Sequence, residues 1–233
     1  MNEQRSGRPD IVVRSLAADD WQQARAARLA ALADAPYAFS SSLAKEQAYG
    51  EELWRRRAGS GRTFGAFDGP RIIGLATGIP ADELDGPGTP GIATPGAATP
   101  GAATPGAATS GASTSGASTS GASTSSAATR GAATPGVDVD GDRPRTGPPE
   151  WHLVGMWVAP DYRGHGVADR LVEAVCNRAR QADAAAVMLW VTEINDRAIA
   201  LYRRHGFSPT GVRELVRPEE PDHWEMQLEC RLS

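Results

Sequence analysis

The stretch from Trp151 to Ala174, WHLVGMWVAPDYRGHGVADRLVEA, constrains this chain more than any other. Trp151, Leu153 and Trp157 alternate with His152, Val154, Met156 and Val158, so both faces are largely apolar. That pattern suits a strand buried in the middle of a sheet. Pro160 ends it, having no N–H for the ladder. A glycine-rich turn follows, Arg163-Gly164-His165-Gly166-Val167-Ala168, and then a helix. Leu171, Val172, Val175, Cys176 and Ala179 recur at helical spacing, so one side of that helix packs on the sheet.

Strand, turn and helix together make an anion site. The first N–H groups of a helix have no partner within it, and the helix dipole puts partial positive charge there. Gly164 and Gly166 let a phosphate approach the backbone, and Arg163 adds a forked cationic donor. The expected guest is a pyrophosphate. The stretch lacks the third glycine of a dinucleotide loop and the Gly-Lys-Ser/Thr of a nucleotide P-loop. A buried strand, a tight turn and a packed helix with no ligand would produce the same pattern.

Arg163-Gly164-x-Gly166-x-Ala168, after a V-x-P-x-x strand end, resembles the acetyl-CoA loop (Arg/Gln-x-x-Gly-x-Gly/Ala) of the GCN5-related N-acetyltransferases (GNAT). Downstream, Val187 to Val191 reads as a strand. Asn195 to Ala198 opens a helix that closes with Tyr202 and Gly206-Phe207, similar to that family's N-x-x-A-x-x-x-Y-x-x-x-G-F motif. The resemblance covers roughly residues 10 to 80 and 150 to 230. It implies an α/β fold with a mixed, mostly antiparallel central sheet of about seven strands flanked by about four helices. A long disordered insertion would separate the third and fourth strands.

The rest of the chain fits one such domain, residues 10–233, interrupted at 81–149 and preceded by a flexible segment, 1–9. Ile11 to Val13 is a first strand. Asp20 to Gln23 resembles a capping box ahead of a helix to about Ala33. Asp34-Ala35-Pro36 breaks it, and Ser40 to Ser42 cap a second helix to about Arg57. The resemblance makes these helices the roof of an acceptor pocket, with Tyr37, Phe39 and Glu46 as substrate contacts or as ordinary packing. Thr63 to Phe67 and Ile72 to Ile79 are strands joined at Asp68-Gly69. Thr210 to Val216 and Trp224 to Leu228 form the final pair, connected through Pro218 and Pro221.

Residues 86 to 137 are a five-residue repeat of small residues with a single charge on Arg130 in its long run. Such a composition cannot bury enough apolar surface to offset chain entropy, so disorder is expected. Its purpose stays open between a plain linker and a spacer or modified Ser/Thr tract.

With 233 residues and a formal charge of −4, the chain is not a general nucleic-acid binder. No stretch is long and apolar enough to span a bilayer. The start MNEQRSGRPD carries no apolar signal region, and Cys176 and Cys230 have no metal spacing, so a cytoplasmic protein without a metal is expected.

The resemblance implies acetyl-CoA as co-substrate and transfer of its acetyl group to an amine of a small molecule or peptide. The pantetheine arm would lie along Met156-Trp157-Val158 as an added strand. The pyrophosphate would sit on Arg163, Gly164, His165, Gly166, Val167 and Ala168. The backbone N–H near Val158 would face the thioester oxygen, and Asn195 would touch the cofactor arm or simply cap its helix. Tyr202 is the candidate general acid, since a phenol near pKa 10 can donate to a thiolate whose conjugate acid is near 8.5; packing alone would also explain it. The general base is open between Glu150 and His152, which alternation puts on one face with Val154 and Met156. A non-catalytic acyl-CoA-binding module and a tethering protein remain alternatives, and homodimer formation is open.

Overall fold

The computed structural model describes residues 10–39, 41–84, 149–216 and 222–233. Seven strands form one mixed sheet: β1 (Ile11–Ser15), β2 (Thr63–Asp68), β3 (Arg71–Pro80), β4 (Glu150–Val158), β5 (Ala186–Thr192), β6 (Ser208–Leu215) and β7 (Trp224–Arg231). Their order across the sheet is β1-β2-β3-β4-β5-β7-β6. Among the described residues only β4 and β5 run parallel, and every other neighbouring pair is antiparallel. The mixed α/β architecture is the expected one. The flexible N-terminus at 1–9, the disorder expected of the repeat and the loop through Pro218 and Pro221 fall on segments outside the described residues. The insertion does lie between β3 and β4 in sequence.

Among the described residues five α-helices accompany the sheet, one more than the four or so expected: α1 (Trp21–Asp34), α2 (Leu43–Gln47), α3 (Glu51–Ala58), α4 (Val167–Arg180) and α5 (Asp196–Arg204). The extra helix comes from a break in the expected 42–57 segment. Gly50 leaves helical dihedrals at φ −71°, ψ 164° and caps α3, while Ser42 caps α2 by accepting from the Lys45 N–H at 3.2 Å. Asp20 does not cap α1 as expected. Its carboxylate turns back to accept from the Ala17 N–H at 2.7 Å and from Arg14.

Glycines set how closely α4 approaches the sheet. A methyl at Gly78 would stand 2.9 Å from the Trp151 ring and 3.0 Å from Val175, and one at Gly74 would stand 3.0 Å from Leu171. Leu171, Val172 and Val175 are fully buried there, each contributing about 1.5–3 kcal/mol of burial. Since β3 side chains alternate, Leu75, Thr77 and Ile79 face the opposite side, towards α1 and α3.

Strand β4 departs from simple alternation. Thr77 pairs with Val154 and Leu75 with Trp157, so β4 carries one extra residue between the two pairs. The bulge is built on Gly155, whose φ of +64° is left-handed. It puts Trp157 on the α1 face, where the Trp157 indole donates to Asp34 at 3.0 Å. Trp151 and Leu153 stay on the α4 face. The expected grouping of Trp157 with Trp151 and Leu153, and of Met156 with Val154, fails for this reason.

Strands β4 and β5 pair over only three residues, Glu150↔Ala186, Trp151↔Val187 and His152↔Met188. Beyond His152 they diverge, and the β5-facing backbone of residues 153–158 has no strand beside it among the described residues.

Candidate active site

A cleft of about 700 Å³ opens where β4 and β5 part. Its walls are Leu153 to Val158 on one side and Trp190, Val191 and Thr192 on the other, with α5 and the turn before α4 closing its ends. The turn has the geometry its sequence implies. Gly164 and Gly166 stand at φ +82° and +75°, and no atom lies within 4 Å of where either side chain would begin. Gly166 is the residue before the first turn of α4, so unpaired N–H groups and the helix dipole meet open space. The residues present therefore fit a diphosphate.

Arg163 lines the cleft with Gly164 and Gly166. Its guanidinium pairs with Asp34 at the end of α1, and its Nε donates to the Val158 carbonyl at 3.0 Å. Both contacts fasten the turn to α1 and β4. His165 is exposed, with its ring against the Arg163 carbonyl at 3.1 Å, and does not line the cleft. Val167, Ala168 and Asn195 do line it, and Asn195 also caps α5 by accepting from the Ala198 N–H at 3.1 Å. Arg197 and Arg204 add cations on the cleft's α5 side that the motif did not single out.

Met156, Trp157 and Val158 form the cleft wall, and Tyr202 faces it from α5. Tyr202 is buried, packed at 5.8 Å between ring centres against Phe207 of the same motif. Burial pushes its phenol up, so the group keeps its proton. Glu150 and His152 do not line the cleft. Glu150 is exposed at the start of β4, and His152 is buried across from Ile79.

Asp34 and Asp169 line the cleft already paired with Arg163 and Arg204, and a further carboxylate, Glu225 at the start of β7, lines it as well. It pairs with Thr192 on β5 and with Glu214 on β6. Burial, and then the neighbouring Glu214, push its pKa up. Nothing local marks Glu225 in the sequence, because its setting depends on strands brought together from 192 and 214. Tyr37 and Phe39 line the cleft. Glu46 does not: it is fully buried, bridging Arg28 at 2.7 Å and Arg57 at 3.3 Å.

Comparison with known proteins agrees with this geometry. Residues 132–207 match the Acetyltransferase (GNAT) family. The chain is 39% identical over 69 residues to N-alpha-acetyltransferase RimI of Mycobacterium tuberculosis, covering 30% of this chain and 42% of that protein. It thus spans less than half the length of the curated relative it matches. An acetyltransferase of the GNAT family from Streptococcus pneumoniae superposes with a TM-score of 0.58 at 12% identity, covering 96% of this chain and 100% of the other. Arabidopsis thaliana NAA60, solved in complex with acetyl-CoA, gives a TM-score of 0.52 at 15% identity, covering 95% and 98%. Residues 132–207, which hold both motifs, are thus similar to the GNAT family, and the fold is one that GNAT acetyltransferases share.

Proposed function

We propose that the protein is an acetyl-CoA-dependent N-acetyltransferase that passes the acetyl group directly to a primary amine. The observation that carries this reading is the cleft between the diverging strands, closed at one end by the Gly164–Gly166 turn. Acetyl-CoA supplies the activated acetyl thioester. The turn and the N-terminus of α4 would hold its diphosphate, and the unpaired edge at 153–158 would bond its pantetheine arm. Holding donor and acceptor together in one cleft provides much of the acceleration in such a transfer.

The amine nitrogen forms a bond to the acetyl carbon as the carbon–sulfur bond breaks. The nitrogen must lose a proton and the sulfur gains one. Glu225 is positioned to accept the first, directly or through water, and Tyr202 to donate to the second. Glu150 and His152 remain the sequence-based alternatives for the base, and relaying a proton from outside the cleft wall would need intervening water. Glu214 and Glu225 together favour an acceptor that arrives as an ammonium.

The acceptor is a small-molecule amine or a protein amino group. The likeness to RimI supports an N-terminal α-amine. Such an amine has a pKa of about 8, against roughly 10.4 for lysine, and so needs less help from a base. The two buried, unpaired cysteines are in keeping with a reducing, cytoplasmic setting.

The deciding experiment is an acetyl-CoA consumption assay over a panel of peptide N-termini, lysine peptides and small amines, alongside calorimetric titration with coenzyme A. Micromolar coenzyme A binding with turnover on one amine class is the expected result. Coenzyme A binding without turnover on any amine would favour a non-catalytic acyl-CoA module, and no binding would end the proposal.

A further inference from the structure

A second cavity lies on the α1 face of the sheet, between α1, α3 and strands β2 to β4. Its volume is about 450 Å³, within the range of small-molecule sites. Leu16, Ala24, Leu75 and Ile79 give it apolar walls. Two donors on lining residues are left over. Arg28 spends its Nε and Nη2 on Glu46, but its buried Nη1 has no hydrogen-bond partner among the described residues. The same holds for the indole Nε1 of Trp54, a residue 3% exposed. Buried donors without partners are uncommon and costly.

Gly155 borders Arg28 Nη1: a methyl on that glycine would stand 3.7 Å from the nitrogen. The bulge that shapes β4 therefore also leaves this donor room. The charge lining the cavity is cationic on balance. Arg28, Arg56, Arg57 and Arg62 outnumber Asp82 and Glu83, and Glu46, behind Arg28 and Arg57, still leaves an excess.

We infer that this cavity binds a small apolar carboxylate, separately from the cofactor cleft, with its head on Arg28 Nη1 and Trp54 Nε1 and its body against the apolar wall. Two buried donors left without partners call for an acceptor head, and the cationic surplus calls for an anionic one. The enclosure by aliphatic side chains calls for a hydrocarbon body. The site makes no use of the thioester or the acetyl acceptor, so it stands or falls apart from the transferase reading.

The probe is octanoate, compared with octylamine, which has the same chain and a cationic head. Titration into the full-length protein by calorimetry should give saturable one-to-one binding of octanoate, with octylamine at least roughly tenfold weaker. In a proton–nitrogen correlation spectrum, the indole signal that is missing from Trp54→Phe should be the one that shifts. Trp54→Phe keeps the apolar wall and removes only the N–H, so it should weaken octanoate roughly five- to tenfold. It is the informative variant because Arg28→Met also strips Glu46 of one of its two partners and can unfold the protein. Absence of saturation, equal binding of octylamine, unchanged affinity in Trp54→Phe, or displacement of octanoate by coenzyme A would each overturn the inference.

Discussion

Glu214 and Glu225 are direct cross-strand partners between β6 and β7, and burial raises the pKa of both carboxyls. Like charges so placed oppose joint ionisation. Only Glu225 lines the cleft. Its raised folded-state pKa means that the folded chain holds this proton more tightly than the unfolded chain does. The associated stability is complete below the ordinary glutamate range and is lost as pH rises through the folded value. Glu225→Gln removes that loss. Its melting temperature should therefore exceed the wild type's at pH 8, with the gap narrowing as pH falls. Its kcat/KM should fall by about 10² or more if Glu225 is the base. The wild-type rate should climb with pH across a value above the usual glutamate pKa of about 4.3. Thermal melts and pH–rate profiles of the two proteins check both halves. A faster or unchanged rate in the variant removes Glu225 from the mechanism.

Tyr202→Phe keeps the ring packing against Phe207 and removes one hydroxyl. Coenzyme A affinity should stay within about twofold, while kcat drops roughly 10²-fold if the phenol donates to the leaving sulfur. Equilibrium titration and steady-state kinetics separate the two. Equal kcat would leave Tyr202 as a packing residue.

The Arg28–Glu46–Arg57 cluster ties α1, α2 and α3 together. Burial pushes the Glu46 carboxyl up, but the Arg28 and Arg57 guanidiniums outweigh it and hold the group below its ordinary range. Its stability contribution is present above the unfolded-state value and is lost as pH falls through the lower folded one. Glu46→Ala leaves two guanidiniums without their shared anion and should cost about 3–5 kcal/mol at pH 7. Urea denaturation measures this, and the difference from wild type should shrink towards pH 3.

Pro80 and Trp151 are paired neighbours on β3 and β4, so everything from 81 to 149 connects two adjacent antiparallel strands. A short turn can do the same. Replacing residues 85–148 with a brief Gly/Ser linker should leave coenzyme A binding intact. If the repeat is the unstructured connection its composition implies, three successive halvings of loop length should add roughly 2 kcal/mol of stability. Denaturant midpoints test this. Loss of folding in the shortened chain would assign the repeat a structural role.

Much of this architecture could be read from local pattern. Period-two runs around Asp68-Gly69 marked the β2–β3 hairpin, and the spacing of Leu171, Val172 and Val175 marked the buried side of α4. The reading failed where geometry depends on partners distant in the chain. The face taken by Trp157 turns on one extra residue at Gly155, and a bulge looks like continued alternation until β3 is laid beside it. Gly50 sits in a run that otherwise reads as one helix. Glu46 and Glu225 are ordinary glutamates in sequence; one becomes a buried anchor and the other a cleft carboxylate through residues more than ten positions away.

The brief union of β4 and β5 also divides the sheet mechanically. Strands β1 to β4 and strands β5 to β7 are stitched to one another by three residue pairs, with α4 packed across the seam. A donor lying in the cleft would complete that seam with its own amides. Rigidity would then arrive with the co-substrate, and those amide protons of 153–158 that face β5 would exchange quickly in the bare protein and slowly in the loaded one.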